Sequence, residues 1–255
     1  MMLRVLCICS LLFLLQPGLR AGDEKFQLLF MASPTVEWVR FGQGPLAPVL
    51  NDAWGSKLSY NFAFEYKRFF DPSLSLSTGL MYMNKGFRNV VLNDPTVNPE
   101  EGSSQVGVTL ASMHIAAVPL YLNVHHRLKR KVEMIYTAGL AGGYVFAERV
   151  RNNYYSGEVT PEQGLIDNAP GASPINLVVD YYVGLHAGMG ISAYLKSRLV
   201  LVVQPMYKWQ ITDARDYFGP LGGGGPFTMR MNSFGIDFKI GYFFTKQIRN
   251  RKKEY

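Results

Sequence analysis

The chain has 255 residues, of which 48% are hydrophobic and 13% aromatic, and its formal net charge is +7. A mean hydropathy of +0.01 suits a soluble enzyme as well as a membrane barrel, so hydropathy alone assigns no class. Both cysteines, Cys7 and Cys9, lie close to the N-terminus, which excludes disulfides, thiolate metal sites and cysteine catalysis from the rest of the chain.

The first residues are typical of a secretory signal. Arg4 precedes the apolar run 5–15, and a small residue, Ala21, follows a Pro-Gly pair. We predict a signal peptide over 1–21. The alternative is an uncleaved anchor, but the apolar run falls short of the ~20 residues that a membrane helix needs.

An alternation with a period of two follows the signal and predicts strands. In 57–67 every even position is apolar and every odd position is small or polar, so the strand has two different faces. The same pattern recurs along the chain and predicts an all-β fold, an eight-stranded antiparallel up-and-down transmembrane β-barrel over 22–245. The predicted strands are 26–41, 57–70, 74–86, 108–125, 132–146, 177–195, 199–211 and 229–244.

The connections between these strands alternate in length. Short turns, typical of the periplasmic side of outer-membrane barrels, alternate with long loops rich in Gly, Pro and Asn. A soluble eight-stranded barrel would place its apolar face inward, and a β-sandwich would use the aromatic residues as a core; both stay open as alternatives. The turns are 71–73, 127–131 and 196–198, and the loops are 42–56, 87–107, 147–176 and 212–228.

One predicted strand departs from the pattern. In 108–125, Ser112 and His114 fall on the lipid side while Met113 and Ile115 fall inside. Proline cannot donate to a ladder and is found at bulges, so we predict a β-bulge before Pro119.

Three segments carry a family resemblance. They are the strand 118–124 with the basic turn 127–131, the glycine-rich strand 138–144, and the closing strand 235–244. In these the chain resembles the small Bacteroidetes outer-membrane β-barrels that include PorT, an accessory protein of the type IX secretion system. The resemblance implies an eight-stranded barrel and implies no reaction.

Charged residues of both signs fall on the predicted inward face. An eight-stranded barrel has room inside only for side chains, so these charges are expected to pair and fill the interior as a plug, with a proton or ion path as the alternative. The predicted interior charge network is Glu37, Lys57, Glu65, Lys67, Glu133, Asp180, His186, Lys208, Asp237 and Lys239.

Nothing in the sequence predicts catalysis. His125 and His126 adjoin the basic turn, and Asp180 lies about 20 Å along a strand from His186, too far for a coupled pair. Neither a G-x-S-x-G nor an H-E-x-x-H pattern is present, and glycines 222–225 lack the Lys-Ser/Thr that a phosphate loop requires. We therefore expect no enzyme, no cofactor and no metal site.

The two ends of the predicted barrel differ in charge, with the long loops mainly acidic and the turn side mainly basic. The C-terminal tail 246–255 has too little apolar content to fold alone and is predicted to be a periplasmic docking segment. The basic end favours an acidic partner or an anionic surface, and export excludes nucleic acid. The predicted periplasmic basic patch is Arg127, Lys129, Arg130, Lys131, Arg249, Arg251, Lys252 and Lys253.

The preferred function is a non-enzymatic barrel in the outer membrane that is a structural or accessory subunit of a secretion or assembly machine. The alternative is a ligand-binding or adhesion barrel that uses its long loops. Expected partners are outer-membrane lipid and lipopolysaccharide, and a periplasmic or outer-membrane protein.

Overall fold

The computed structural model describes residues 25–41, 54–92, 106–155, 181–195, 198–212 and 229–244. The predicted signal peptide (1–21) and the basic tail (246–255) lie outside these residues. No helix in the described part of the chain is long and apolar enough to cross a membrane. The strands are β1 (Lys25–Phe41), β2 (Trp54–Gly55), β3 (Lys57–Phe69), β4 (Leu74–Leu92), β5 (Val106–Lys129), β6 (Val132–Tyr155), β7 (Tyr181–Tyr194), β8 (Leu199–Gln210) and β9 (Met229–Phe243).

Eight of these strands form a closed antiparallel barrel. Each long strand pairs with its neighbours along the chain, from β1 with β3 round to β8 with β9. The last strand then pairs with the first, through partners such as Leu28 and Tyr242. The two-residue β2 pairs with β4. The predicted eight-stranded antiparallel barrel is therefore confirmed, and a β-sandwich is excluded.

The outward face of the barrel is apolar. Each of the eight long strands has exposed large apolar side chains. Examples are Phe64, Leu80 and Phe238, whose exposed fractions are 52%, 71% and 48%. Polar side chains such as Gln204 and Asn123 are buried on the inward face. A soluble barrel would reverse these faces, because exposed apolar area in water is costly. The chain is therefore a transmembrane barrel of the outer-membrane type.

Three neighbouring strands are longer than the sequence predicts. The predicted strand ends at 86 and 146 are wrong, because β4 continues to Leu92 and β6 to Tyr155. β5 begins at Val106, within two residues of the predicted start at 108, and Val106 is paired to both neighbours. The β5–β6 turn is also shorter than predicted, since only Arg130 and Lys131 lie between the strands. Apolar alternation marks only the part of a strand that faces lipid, whereas the hydrogen-bond ladder continues beyond it.

The predicted bulge in β5 is wrong in its position. Inward-facing residues of β5 keep one phase from Met113 through His125. The register shift occurs where His114 pairs with Ala147 and Ile115 with Val145, so the extra residue is Phe146 of β6. A bulge on the partner strand absorbs this irregularity, and the one register shift in which β5 carries the extra residue, Leu128, lies beside the turn, well after Pro119.

Candidate functional site

Three ion pairs lie in the interior, and two of them join strands that are distant in the chain. Glu65 of β3 accepts from Lys239 of β9 at 2.8 Å, and Asp237 of β9 accepts from Lys208 of β8 at 3.3 Å. The third pair, 3.2 Å long, joins Glu37 of β1 to a lysine of β4. All six side chains are buried, and Lys239 also lies 3.8 Å from Asp237. The six charges of these three pairs therefore neutralise one another.

The lysine of the third pair, Lys85, was not in the predicted network. Its ammonium group also donates to the Met231 carbonyl and to the Ser233 hydroxyl, at 3.1 and 3.4 Å. The alternation in the sequence does place Lys85 on the inward face, because it continues the phase that begins at Ser75 and Ser77.

His186 lies between two tyrosines in the interior. The Tyr121 hydroxyl is 2.6 Å from its Nδ1, and the Tyr182 hydroxyl is 2.9 Å from its Nε2. All three side chains are buried. Both ring nitrogens thus have hydrogen-bond partners, which satisfies a neutral imidazole. The sequence does not single out these two tyrosines, because in an alternating pattern a tyrosine cannot be distinguished from any other large apolar residue.

Lys57 is the register partner of Glu37, another member of the predicted network. It is only half-buried, and its ammonium group donates to Asn84 Oδ1 at 3.4 Å and contacts the Ser112 hydroxyl at 2.5 Å. Both partners stand on the outward phase of β4 and β5. The β3–β4 ladder extends only to the Asn61–Met83 pair, so the side chain passes between the two strands.

The remaining predicted interior residues are not members of the three ion pairs. Lys67 is buried near the turn end. Glu133 is partly exposed there, and its Oε2 accepts from the Tyr194 hydroxyl at 2.7 Å and lies 3.6 Å from His125 Nδ1. Asp180 lies outside the described residues.

Apolar and aromatic layers cover both ends of the ion-paired region. Toward the turns, Phe243 packs against Phe69 and Tyr194 with ring centroids 5.8 and 5.9 Å apart. Toward the loops, Val39 and Met231 are register partners one step beyond the Glu37 ion pair, and both are buried. These layers shield the charges from water at either end.

The arrangement fits a packed interior. Among the described residues, no group of three or more His, Cys, Asp or Glu side chains is placed to hold a metal ion. The ion-paired carboxylates have lysine partners, and His186 has tyrosine partners. Side chains of this kind fill the space that an eight-stranded barrel encloses.

The other predicted site is the basic patch at the turn end. Four of its residues are described, and all are exposed on the β5–β6 hairpin: Arg127, Lys129, Arg130 and Lys131. An apolar residue, Leu128, is 47% exposed among them. Its remaining members, Arg249, Arg251, Lys252 and Lys253, lie outside the described residues.

No family model matches the chain, and no curated protein sequence matches it. Solved structures do match. The outer membrane protein OprG from Pseudomonas aeruginosa is 14% identical with a TM-score of 0.44, covering 89% of this chain and 98% of its own. Ail, the attachment invasion locus protein of Yersinia pestis, is 10% identical with a TM-score of 0.41, covering 88% and 100%. A major outer membrane protein from Thermus thermophilus is 12% identical with a TM-score of 0.39, also covering 88% and 100%. The strand pairing itself, and not these matches, establishes the fold.

Proposed function

We propose that this chain is a non-enzymatic structural or accessory subunit of an outer-membrane assembly. The observation that supports the proposal is the interior, which is filled by ion pairs and two apolar layers. The function is therefore expected to depend on the surface of the barrel. The resemblance to the PorT family favours a protein-secretion machine of the Bacteroidetes as that assembly.

The β5–β6 hairpin is the surface at which a partner would dock. Its exposed cations surround the exposed side chain of Leu128, so the hairpin offers charge together with an apolar contact. Outer-membrane barrels direct their short turns to the periplasm. We therefore propose an acidic periplasmic protein as the partner.

Site-specific crosslinking tests this docking surface. A photo-crosslinking amino acid at Leu128 should give one discrete crosslinked product in cells, and the same group at lipid-facing Leu80 should give none. Substituting the turn cations, Arg130→Gln with Lys131→Gln, should reduce the product several-fold. The matched control, Arg68→Gln with Arg198→Gln, removes two cations from the same end outside the hairpin and should not. Equal loss in both pairs would mean that net charge alone matters, and no product at Leu128 would contradict docking there.

The orientation of the barrel in the membrane is tested by cysteine labelling. Both native cysteines lie in the predicted signal peptide, so they are not expected to give background labelling. A single cysteine at Arg130 should react with a membrane-impermeant maleimide only after the outer membrane is permeabilised. A cysteine at exposed Arg88, near the other end, should react in intact cells. The reverse result would show that the basic hairpin faces outward and would exclude a periplasmic partner.

A second candidate function is binding at the loop end. It is favoured by β4, β5 and β6, whose ladder continues to the Leu92–Val106 and Val106–Tyr155 pairs. On this proposal, deleting 156–176 abolishes cell-surface binding of a ligand while the Leu128 crosslink persists. Surface binding that survives the deletion would contradict a binding role for this loop.

A further inference from the structure

The two other short turns each carry an exposed apolar side chain, as the β5–β6 hairpin does. Phe70 precedes the β3–β4 turn and is 48% exposed, and Leu195 precedes the β7–β8 turn and is 53% exposed. Since β4 pairs with β5 and β6 pairs with β7, the hairpin stands between these two turns. Three neighbouring turns therefore present apolar side chains at the same end of the barrel, with Leu128 at the centre.

Hydrogen bonds fasten the two outer turns to the hairpin. The His125 backbone N–H donates to the Ser73 carbonyl at 2.7 Å, and the Tyr194 backbone N–H donates to the Lys131 carbonyl at 2.9 Å. The Tyr194 hydroxyl also donates to the Glu133 carboxylate at the base of the hairpin, at 2.7 Å. The three turns thus form one framework whose shape is set before a partner binds, and such preorganisation lowers the cost of binding.

Each outer turn is also ordered internally. The Asp71 carboxylate accepts from the backbone N–H groups of Ser73 and Leu74, at 2.6 and 2.9 Å. In the β7–β8 turn, the Leu195 backbone N–H donates to the Leu199 carbonyl at 3.0 Å. The backbone is therefore fixed where each exposed apolar residue leaves its strand.

The arginines next to the outer turns contact rings on the far side from the hairpin. The Arg68 guanidinium carbon lies 6.0 Å from the ring centroid of Phe26 on β1, and Arg198 donates to the Tyr242 hydroxyl on β9 at 2.8 Å. The positive charge of this surface is thus concentrated at the central hairpin, while the outer turns add apolar contacts. A complementary partner has an acidic centre with an apolar patch on either side.

The extent of this surface suits a protein. One side of a stable interface contains about 20–30 residues, which a single hairpin tip does not supply. Neighbouring strands lie about 4.8 Å apart, and four such spacings separate β3 from β7, so the outer turns are about 19 Å apart along the wall. A second copy of this chain is a poor occupant, because it would oppose one basic hairpin to another.

We propose that one periplasmic protein binds across all three turns, with its acidic residues at the hairpin cations and its apolar residues against Phe70 and Leu195. This inference rests on the proposed docking at the hairpin, and it specifies how far the interface extends. The β1–β9 side of the same end lies outside the interface. Phe244 is exposed there, next to the end of β9, and provides an internal control.

The test places a photo-crosslinking amino acid at one position at a time in the full chain, in cells. Products at Phe70, Leu128 and Leu195 should contain the same protein by mass spectrometry, and its peptides linked to Leu128 should be acidic. The control positions Phe244 and Phe26 should give at least tenfold less of that product. Different proteins at the three positions, two linked copies of this chain, or equal yield at the controls would overturn the proposal. A product at Leu128 alone would also overturn it and leave hairpin docking standing, whereas no product at Leu128 would contradict both.

A pair of substitutions measures the apolar contribution. Phe70→Ser with Leu195→Ser keeps every hairpin cation and should lower the Leu128 product about tenfold, because two apolar contacts are lost. The matched pair, Leu58→Ser with Ile211→Ser, removes two exposed apolar side chains at the loop end and should leave the product unchanged. An unchanged yield in the first pair, or equal loss in both, would overturn the proposal. If the first pair fails to fold, the comparison of crosslinking positions decides alone.

Discussion

Single charged residues inside the barrel depend on partners from other strands. The Glu37 carboxylate is wholly buried and accepts from Lys85 and from the Thr35 hydroxyl, at 3.2 and 3.1 Å. Removing one member of such a pair leaves an uncompensated buried charge, whereas replacing both by apolar groups is often nearly neutral. The pair therefore makes a sharp test of the interior.

Lys85→Met should lower the free energy of unfolding by about 3–5 kcal/mol, because Glu37 loses its counter-charge. Lys85→Met with Glu37→Leu should recover most of that loss. Both are measured by urea unfolding of the barrel in lipid vesicles. If the double variant is as unstable as the single one, the ion pair is not the source of the cost.

A second residue-scale prediction concerns the turn between β3 and β4. The Asp71 carboxylate accepts from the Ser73 hydroxyl and backbone N–H, each at 2.6 Å, and from the Leu74 N–H at 2.9 Å. The Ser73 hydroxyl, then its backbone N–H, holds the pKa of Asp71 below its ordinary value.

The lowered pKa determines how the stability contributed by Asp71 depends on pH. A depressed folded-state pKa gives stability that is complete above the unfolded value of 3.8 and disappears as the pH falls through the folded value. Asp71→Ala should therefore unfold more readily than the unaltered chain at pH 7, and the difference should vanish in strong acid. Parallel urea titrations at the two pH values measure this, and a difference that grows in acid would contradict it.

The sequence predicts which residues face inward, but not which residues they contact. Alternation alone places Glu65 and Lys239 on the inward phase. That they meet follows from closure of the barrel, since they are separated by 174 positions in the chain. The same limit explains Lys57. Its phase is inward, yet the ladder between β3 and β4 extends only to Asn61, four residues away, and the Lys57 ammonium group contacts Ser112 on the outward phase.

Prolines inside the strands show how an element tolerates a missing donor. Pro119 pairs normally with Ala141 of β6, but the β4–β5 ladder is interrupted beside it and resumes in the same register. Pro34 interrupts the β1–β9 ladder and Pro205 the β7–β8 ladder in the same way. Each proline thus costs hydrogen bonds on one side only, and no bulge is required.

Glycines opposite tyrosines give an element-scale prediction. Gly139 is the register partner of Tyr121, and a Cβ at Gly139 would collide with the Leu120 carbonyl and approach the Tyr121 ring. Gly139→Ala should therefore destabilise the barrel by about 1–3 kcal/mol, the usual cost of overpacking. The matched control is Gly55→Ala, whose added Cβ would lie 3.7 Å from the Arg88 carbonyl.

The measurement is the midpoint of the heat-modifiable gel shift. A Gly139→Ala protein with the same midpoint as Gly55→Ala would show that the β5–β6 wall adapts to a methyl group. The sequence predicts a glycine-rich strand here, but only the register identifies the tyrosine that each glycine accommodates.

At the scale of the whole molecule, the packed interior predicts the electrical behaviour. Ion pairs at the centre and aromatic or apolar layers at both ends should prevent a stable water-filled path. Purified barrels in planar bilayers should therefore give no reproducible conductance above that of the empty bilayer. Uniform, ion-selective channels would contradict a structural role and would make Glu65 and Lys239 candidate pore residues.

The ion pairs also restrict how the barrel is assembled. Glu65 enters with the third strand, but its lysine arrives only with the last. A half-finished sheet within the bilayer would expose Glu65 and unpaired strand edges to hydrocarbon. Hydrocarbon solvates neither a carboxylate nor unpaired backbone groups. Insertion and closure are therefore expected to be one cooperative event, in which the final strand completes the charge balance of the first half as well as its hydrogen bonds.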